Sequence, residues 1–160
     1  MELFCLYLYL IYKKRRAWLL GFVIEAQAET MKCRTAGVAT KSETMPAQVG
    51  DEGHLLGMTM REGLAFFENG EIATYITKGI WDTTVGKAFK ANGYLFFKFE
   101  DGSTIVTTYD QRAIADPSGK WSSKITGEII KGTGRFEGIE GTTSTIGKQF
   151  PDVKGEASKS

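Results

Sequence analysis

The sequence predicts an all-β protein: an antiparallel up-and-down meander of about seven to eight strands, closed into a barrel. Three observations carry that expectation. Glycine supplies 19 of 160 residues against 3 prolines. So much glycine is costly inside helices, and it lacks the every-third-residue period of collagen. Asn69-Gly70 and Asp101-Gly102 are strong two-residue hairpin signals, because both central positions of a type I′ turn need φ > 0. Beyond residue 28 no stretch sustains a 3.6-residue apolar period. An apolar content of 42% with 24% charged residues fits one globular domain. A net charge of +1 removes the electrostatic warrant for a nucleic-acid partner.

The chain divides into 1–28, 29–150 and 151–160. In the first part, the apolar run Leu3–Tyr12 precedes the basic block Lys13-Lys14-Arg15-Arg16. Ala17–Ile24 is apolar again, and Ala26-Gln27-Ala28 has the small-x-small pattern of a signal peptidase site. Basic block, apolar stretch and cleavage site in that order read as a secretory signal, so the expected location is secreted or periplasmic. Neither apolar run reaches the roughly 20 residues of a bilayer span, so no stable membrane span is expected after cleavage. Leu3–Tyr12 lies upstream of where a signal normally begins. An over-extended start and a retained anchor are the competing readings. The segment holds four cations and two anions, so its removal takes the net charge from +1 to −1.

The domain at 29–150 carries seven expected strands, at 32–44, 54–68, 71–82, 89–100, 103–115, 121–131 and 139–149. Each is rich in Val, Ile, Thr, Tyr or Phe. Turns fall at Asn69-Gly70, Asp101-Gly102, Asp116-Pro117-Ser118-Gly119 and Gly132-Thr133-Gly134, where Gly or Pro supplies the special backbone angle. Several strands are apolar on both sides: Leu95, Phe97 and Phe99 oppose Tyr94 and Phe96. A barrel with a filled or ligand-lined interior, covered outside by a neighbour, accounts for that. Residues 151–160 form a polar tail.

Candidate chemistry is sparse. A single histidine, His54, gives little support to a catalytic triad or a multi-histidine metal site, and it reads as a strand-end residue. Cys5 falls in the leader, leaving Cys33 as a plain strand residue without an internal disulfide partner. No metal site and no cofactor is expected. Gly132-x-Gly134-x-x-x-Gly138 has the wrong spacing for a dinucleotide fingerprint and opens no helix. Glu62 shares a strand face with Met58, Met60, Leu64 and Phe66. A carboxylate buried there would have a raised pKa and suit general acid/base work; a bulge at Gly63 or neutralisation by Arg61 or Arg112 is the structural alternative. Trp81, Tyr94, Tyr109 and Trp121 are candidate ligand-lining residues, each an apolar body with one polar handle. Asp110 and Arg112 read as a surface pair.

The run Gly132-Thr133-Gly134-Arg135-Phe136-Glu137-Gly138-Ile139-Glu140-Gly141 resembles a phrase of the allene oxide cyclase/dirigent β-barrel superfamily: a glycine-rich turn, an aromatic, then Gly-x-x-Gly opening a strand. Gly63–Thr74, with Phe99–Ile105, is similar to secreted bacterial proteins carrying the allene oxide cyclase barrel-like domain. The resemblance covers roughly 35–150. It implies a barrel that holds an apolar small molecule, as plant allene oxide cyclases hold an epoxide and shape its conformation. An enzyme of this kind would be an isomerase or cyclase. No catalytic residue of the plant enzymes matches a position here. Phe136 is expected to plug one barrel end. Barrels of the superfamily usually add a strand after the Gly-x-x-Gly strand, but Pro151–Ser160 has only Val153 and Ala157 as apolar residues. Closure by the N-terminal segment, completion by a partner and truncation are the three resolutions.

Three functions follow as expectations. The first is a receptor for a hydrophobic small molecule. The second is an isomerase or cyclase using Glu62. The third is a structural module that forms homo-oligomers through an open seam.

Overall fold

Eight antiparallel strands follow one another in chain order and close into a ring in the computed structural model, which describes residues 6–14, 28–48, 50, 52–84, 88–115 and 121–148. They are β1 (Leu6–Lys14), β2 (Ala28–Pro46), β3 (His54–Phe67), β4 (Ile72–Thr84), β5 (Ala88–Phe99), β6 (Thr104–Ala115), β7 (Trp121–Thr133) and β8 (Ile139–Lys148). The seven strands expected from the sequence are all present, each within a few residues of its expected bounds. The Asp116–Gly119 turn and the polar tail lie outside the described residues.

Both expected hairpin turns occur where Asn-Gly and Asp-Gly place them, but they are not type I′. Positive φ is confined to the glycines, Gly70 at +87° and Gly102 at +80°. Phe67 N–H donates to Glu71 O and Gly70 N–H to Phe67 O; Phe99, Ser103 and Gly102 repeat both bonds. Each loop is therefore a three-residue turn ending in a left-handed glycine. The short side chain before each glycine secures it: Asn69 Oδ1 accepts from Glu71 N–H at 3.1 Å, and Asp101 Oδ1 from Ser103 N–H at 2.9 Å.

The eighth strand comes from the segment the sequence sets apart as a leader. β1 pairs with β2 through Leu8↔Cys33 and Leu10↔Met31, and with β8 through Leu10↔Thr143. The alternation of Leu and Tyr over Leu6–Tyr12 suits a strand, and the edges of β2 and β8 otherwise expose rows of unpaired N–H and C=O groups. Closure by the N-terminal segment is thus the resolution found. Residues 15–27, with half of the basic block and the apolar core of the expected signal, lie outside the described residues.

The interior is uneven along the barrel axis. At the end carrying the 68–71 and 100–103 turns, Phe67, Phe97, Phe99, Ile105, Ile139 and Leu10 form one buried cluster. A one-turn 3-10 helix, Gly134–Phe136, turns Phe136 into it, with ring centroids 4.8 Å from Phe99. Arg135 covers this plug. Its guanidinium lies 4.9 Å above the Phe99 ring and 4.7 Å above Phe136, while bonding Glu71 and Asp101. Phe136 therefore stops one end, as expected. Cys33 is a buried core thiol.

Candidate functional site

Strand alternation sorts the inward residues into ladders. On β3 the inward set is Gly57, Thr59, Arg61, Gly63, Ala65 and Phe67; on β4 it is Ala73, Tyr75, Thr77, Gly79, Trp81 and Thr83. Ala65, Phe67, Ala73 and Tyr75, toward the plug, are buried. Toward the other end, Thr59, Arg61, Thr77, Trp81 and Thr83 are only half-buried, as are Phe89, Tyr109 and Gln111 on the neighbouring strands. Ala91 and Ala113, inward at the same end, are buried, so water reaches this half of the interior only in part. It is the less tightly filled half, a shallow cup above the phenylalanine plug.

Glycines shape the wall of this cup. Gly63 stands opposite Tyr75 on β4 and Gly37 on β2; Gly93 stands opposite Tyr109 on β6 and Gly79 on β4. A Cβ on Gly37 would strike the Tyr75 hydroxyl, and one on Gly79 the Tyr109 hydroxyl. Each tyrosine thus lies flat across a glycine pair, the same device used twice. Trp81 repeats it over Gly57, its register partner. The Trp81 indole N–H donates to Thr59 Oγ1 at 3.0 Å, and its ring stacks near Phe89 at 6.3 Å.

Arg61 stands between these rings. It is the one charged side chain at the inward positions of β3–β6 among the described residues. Burial pushes the Tyr75 phenol above its usual pKa, opposed by the nearby Arg61 charge and a side-chain bond to Thr35. Burial does the same to Tyr109, again opposed by Arg61. Both phenols therefore stay protonated near neutral pH.

Of the residues expected to line a ligand site, Trp81 and Tyr109 both stand at inward, half-buried positions. Tyr94 points outward and lies near Phe96, their rings 6.4 Å apart. Trp121 opens β7 at the open end, and its side chain lies outside the described set. Glu62 also stands on the outer face, between Val38 on β2 and Ile76 on β4. The apolar side of β3 that it shares is the exterior: Met58 is 44% exposed, and Leu64 and Phe66 are exposed too. The sequence suggests that the most apolar face is the inside. The inside is instead made of small residues that admit the large rings, and Arg61, Tyr75 and the paired glycines carry that signal.

Elsewhere, His54 Nε2 meets Asp82 Oδ1 at 2.8 Å at the start of β3, and Arg112 pairs with Asp110 at 3.2 Å on the surface. Among the described residues no cluster of His, Cys, Asp and Glu could hold a metal ion. A cleft of about 640 Å³ lies outside the plug, bordered by Glu29, Lys32, Glu68, Glu71 and Arg135. Arg135 is already engaged in covering the plug, and Lys32 lies 4.0 Å from Glu68.

Comparison with known proteins adds no relative: no family model, no curated protein and no solved structure matches the chain.

Proposed function

We propose that the barrel is a receptor for a hydrophobic small molecule, of the allene oxide cyclase-like kind that its sequence resembles. The observation that supports this reading is the cup: Trp81, Phe89 and Tyr109 half-buried on the inside among threonines, above a sealed phenylalanine floor. Concave apolar sites with a few polar groups are the usual form of a small-molecule site. Glu62 lies outside the cup, so a cyclase or isomerase acting within it would draw its polar groups from Arg61, Tyr75 and Tyr109. The test is titration of the full chain with the neutral fluorophore N-phenyl-1-naphthylamine, beside native mass spectrometry of protein from its own host. The reading expects saturable binding at one site, weakened several-fold by Trp81→Ala. Unsaturable binding that Trp81→Ala leaves unchanged and Phe96→Ser abolishes would place the probe on the outer wall and reject the reading.

A second reading, a self-associating module, is favoured by the outer face of β3–β5. Met58, Leu64, Phe66, Ile80, Tyr94 and Phe96 are all exposed there, on adjoining strands. Glu62 and Lys78 interrupt them, but so many exposed large apolar side chains on one face are uncommon on a monomer. Sedimentation velocity decides it: a concentration-dependent rise in mass that Phe96→Ser abolishes supports association, and a single monomer species at all concentrations rejects it.

A further inference from the structure

Two opposite charges stand inside the exposed apolar face of β3–β5. Glu62, on the outer side of β3, has Met60 and Leu64 beside it along the strand, with Val38 and Ile76 across from it. Lys78, on the outer side of β4, has Ile76 and Ile80 beside it, with Met60 and Tyr94 across. Each charge is therefore set among apolar neighbours. The registers Glu62↔Ile76 and Met60↔Lys78 make the two charges diagonal neighbours on one strand pair, roughly 7–8 Å apart at the backbone. Other charges on the outer wall are settled within the chain: Lys41 pairs with Glu43 at 3.0 Å, and Arg112 with Asp110 at 3.2 Å. Among the described residues neither Glu62 nor Lys78 has an ion-pair partner.

A face that carries one anion and one cation side by side in an apolar field is its own complement. Two copies can meet face to face about a two-fold axis that lies between their sheets and crosses the midpoint of the Glu62–Lys78 line at a right angle. Each Glu62 then stands over the Lys78 of the second copy, so a single operation places both pairs. The apolar side chains around them meet and exclude water, which strengthens each pair. Lys41 and Glu43, bonded to each other on β2 beside Met60 and Met58, fall at a polar rim. Lipid hydrocarbon, by contrast, offers neither charge a partner, and burying a lone charge in it is costly. We propose that the outer face of β3–β5 seats a second copy of this chain in an isologous dimer. Apolar contact supplies the affinity, and two Glu62–Lys78 ion pairs across the interface set the register. This rests on the reading of the face as a self-association surface and adds its symmetry and the residues that fix it.

Charge reversal tests it, by sedimentation velocity of the full chain over a concentration series. Wild type should show a monomer–dimer equilibrium. Glu62→Lys sets like charges face to face and should raise the dissociation constant by about a hundredfold or more, as should Lys78→Glu. An equimolar mixture of the two single variants should dimerise again, to within about tenfold of wild type, because one copy then carries two cations and the other two anions. Lys124→Glu, an exposed charge on β7, should leave the equilibrium within about twofold of wild type. Where a single variant does not fold, Glu62→Lys combined with Lys78→Glu in one chain decides, since it restores both pairs and should dimerise. A wild-type dimer that both reversals leave intact, a mixture or double variant that stays monomeric, or a higher oligomer in place of the dimer overturns the proposal. Phe96→Ser then still decides the self-association reading by itself. A wild-type chain that is monomeric at every concentration overturns both, whether or not it binds phosphatidylcholine vesicles.

Discussion

Gly79 shows how single residues set the interior. It has no need of unusual backbone angles. What it provides is room, because a Cβ there would meet the Tyr109 hydroxyl and the Asn92 carbonyl. Gly79→Ala should therefore destabilise the barrel by about 1–3 kcal/mol in urea denaturation, as overpacking does elsewhere. Tyr109→Phe in the same chain should recover part of the loss, because the tyrosine hydroxyl is one of the two obstacles. At Asp101 the Ser103 N–H holds the carboxyl below its ordinary pKa, helped by the Ser103 side chain and the Arg135 charge. A carboxyl depressed on folding stabilises the fold fully above its unfolded value, and the benefit fades as pH falls through the folded value. Thermal midpoints of wild type and Asp101→Asn should accordingly differ at pH 7 and converge in acid below the ordinary aspartate range. A constant difference across that range would mean that the Ser103 bond does not discriminate between the charged and neutral carboxyl.

Among the elements, the strands and hairpins were legible because their signals are local. Turn glycines at Gly70 and Gly102 and runs of β-branched and aromatic residues locate β3 to β6 without reference to anything distant. β1 was not legible in the same way. Leu6–Tyr12 reads as an apolar run before a basic block, and only the unpaired edges of β2 and β8, far along the chain, show what it can pair with. Leu10 is wholly buried between Met31 and Thr143, so Leu10→Ala should cost about 2–5 kcal/mol. A chain beginning at Glu29 should lose stability and associate through its two open edges, read as increased mass in size-exclusion chromatography. A stable monomer from that shorter chain would show that β1 contributes little to closure.

At the scale of the whole molecule, one barrel has two unlike halves. Phe97 is 1% exposed and packs in a dry plug with Phe67 and Phe99; truncation to Ala should cost about 3–5 kcal/mol. Beyond Arg61 the same lumen is half-open and lined by Trp81, Phe89 and Tyr109. The site was only partly legible. Trp81 and Tyr109 could be named from residue type, but which face turns inward could not be read from apolarity. The exterior of β3 is more hydrophobic than its interior, and the choice is made by ring size against glycine across neighbouring strands. The most direct test of the cup is an NMR measurement of intermolecular nuclear Overhauser effects between bound naphthalenemethanol and side chains of the full-length protein. The account predicts contacts to Trp81, Phe89, Thr77 and Leu95. Contacts to Leu64, Tyr94 and Phe96 in their place would put the ligand on the outer wall and contradict it.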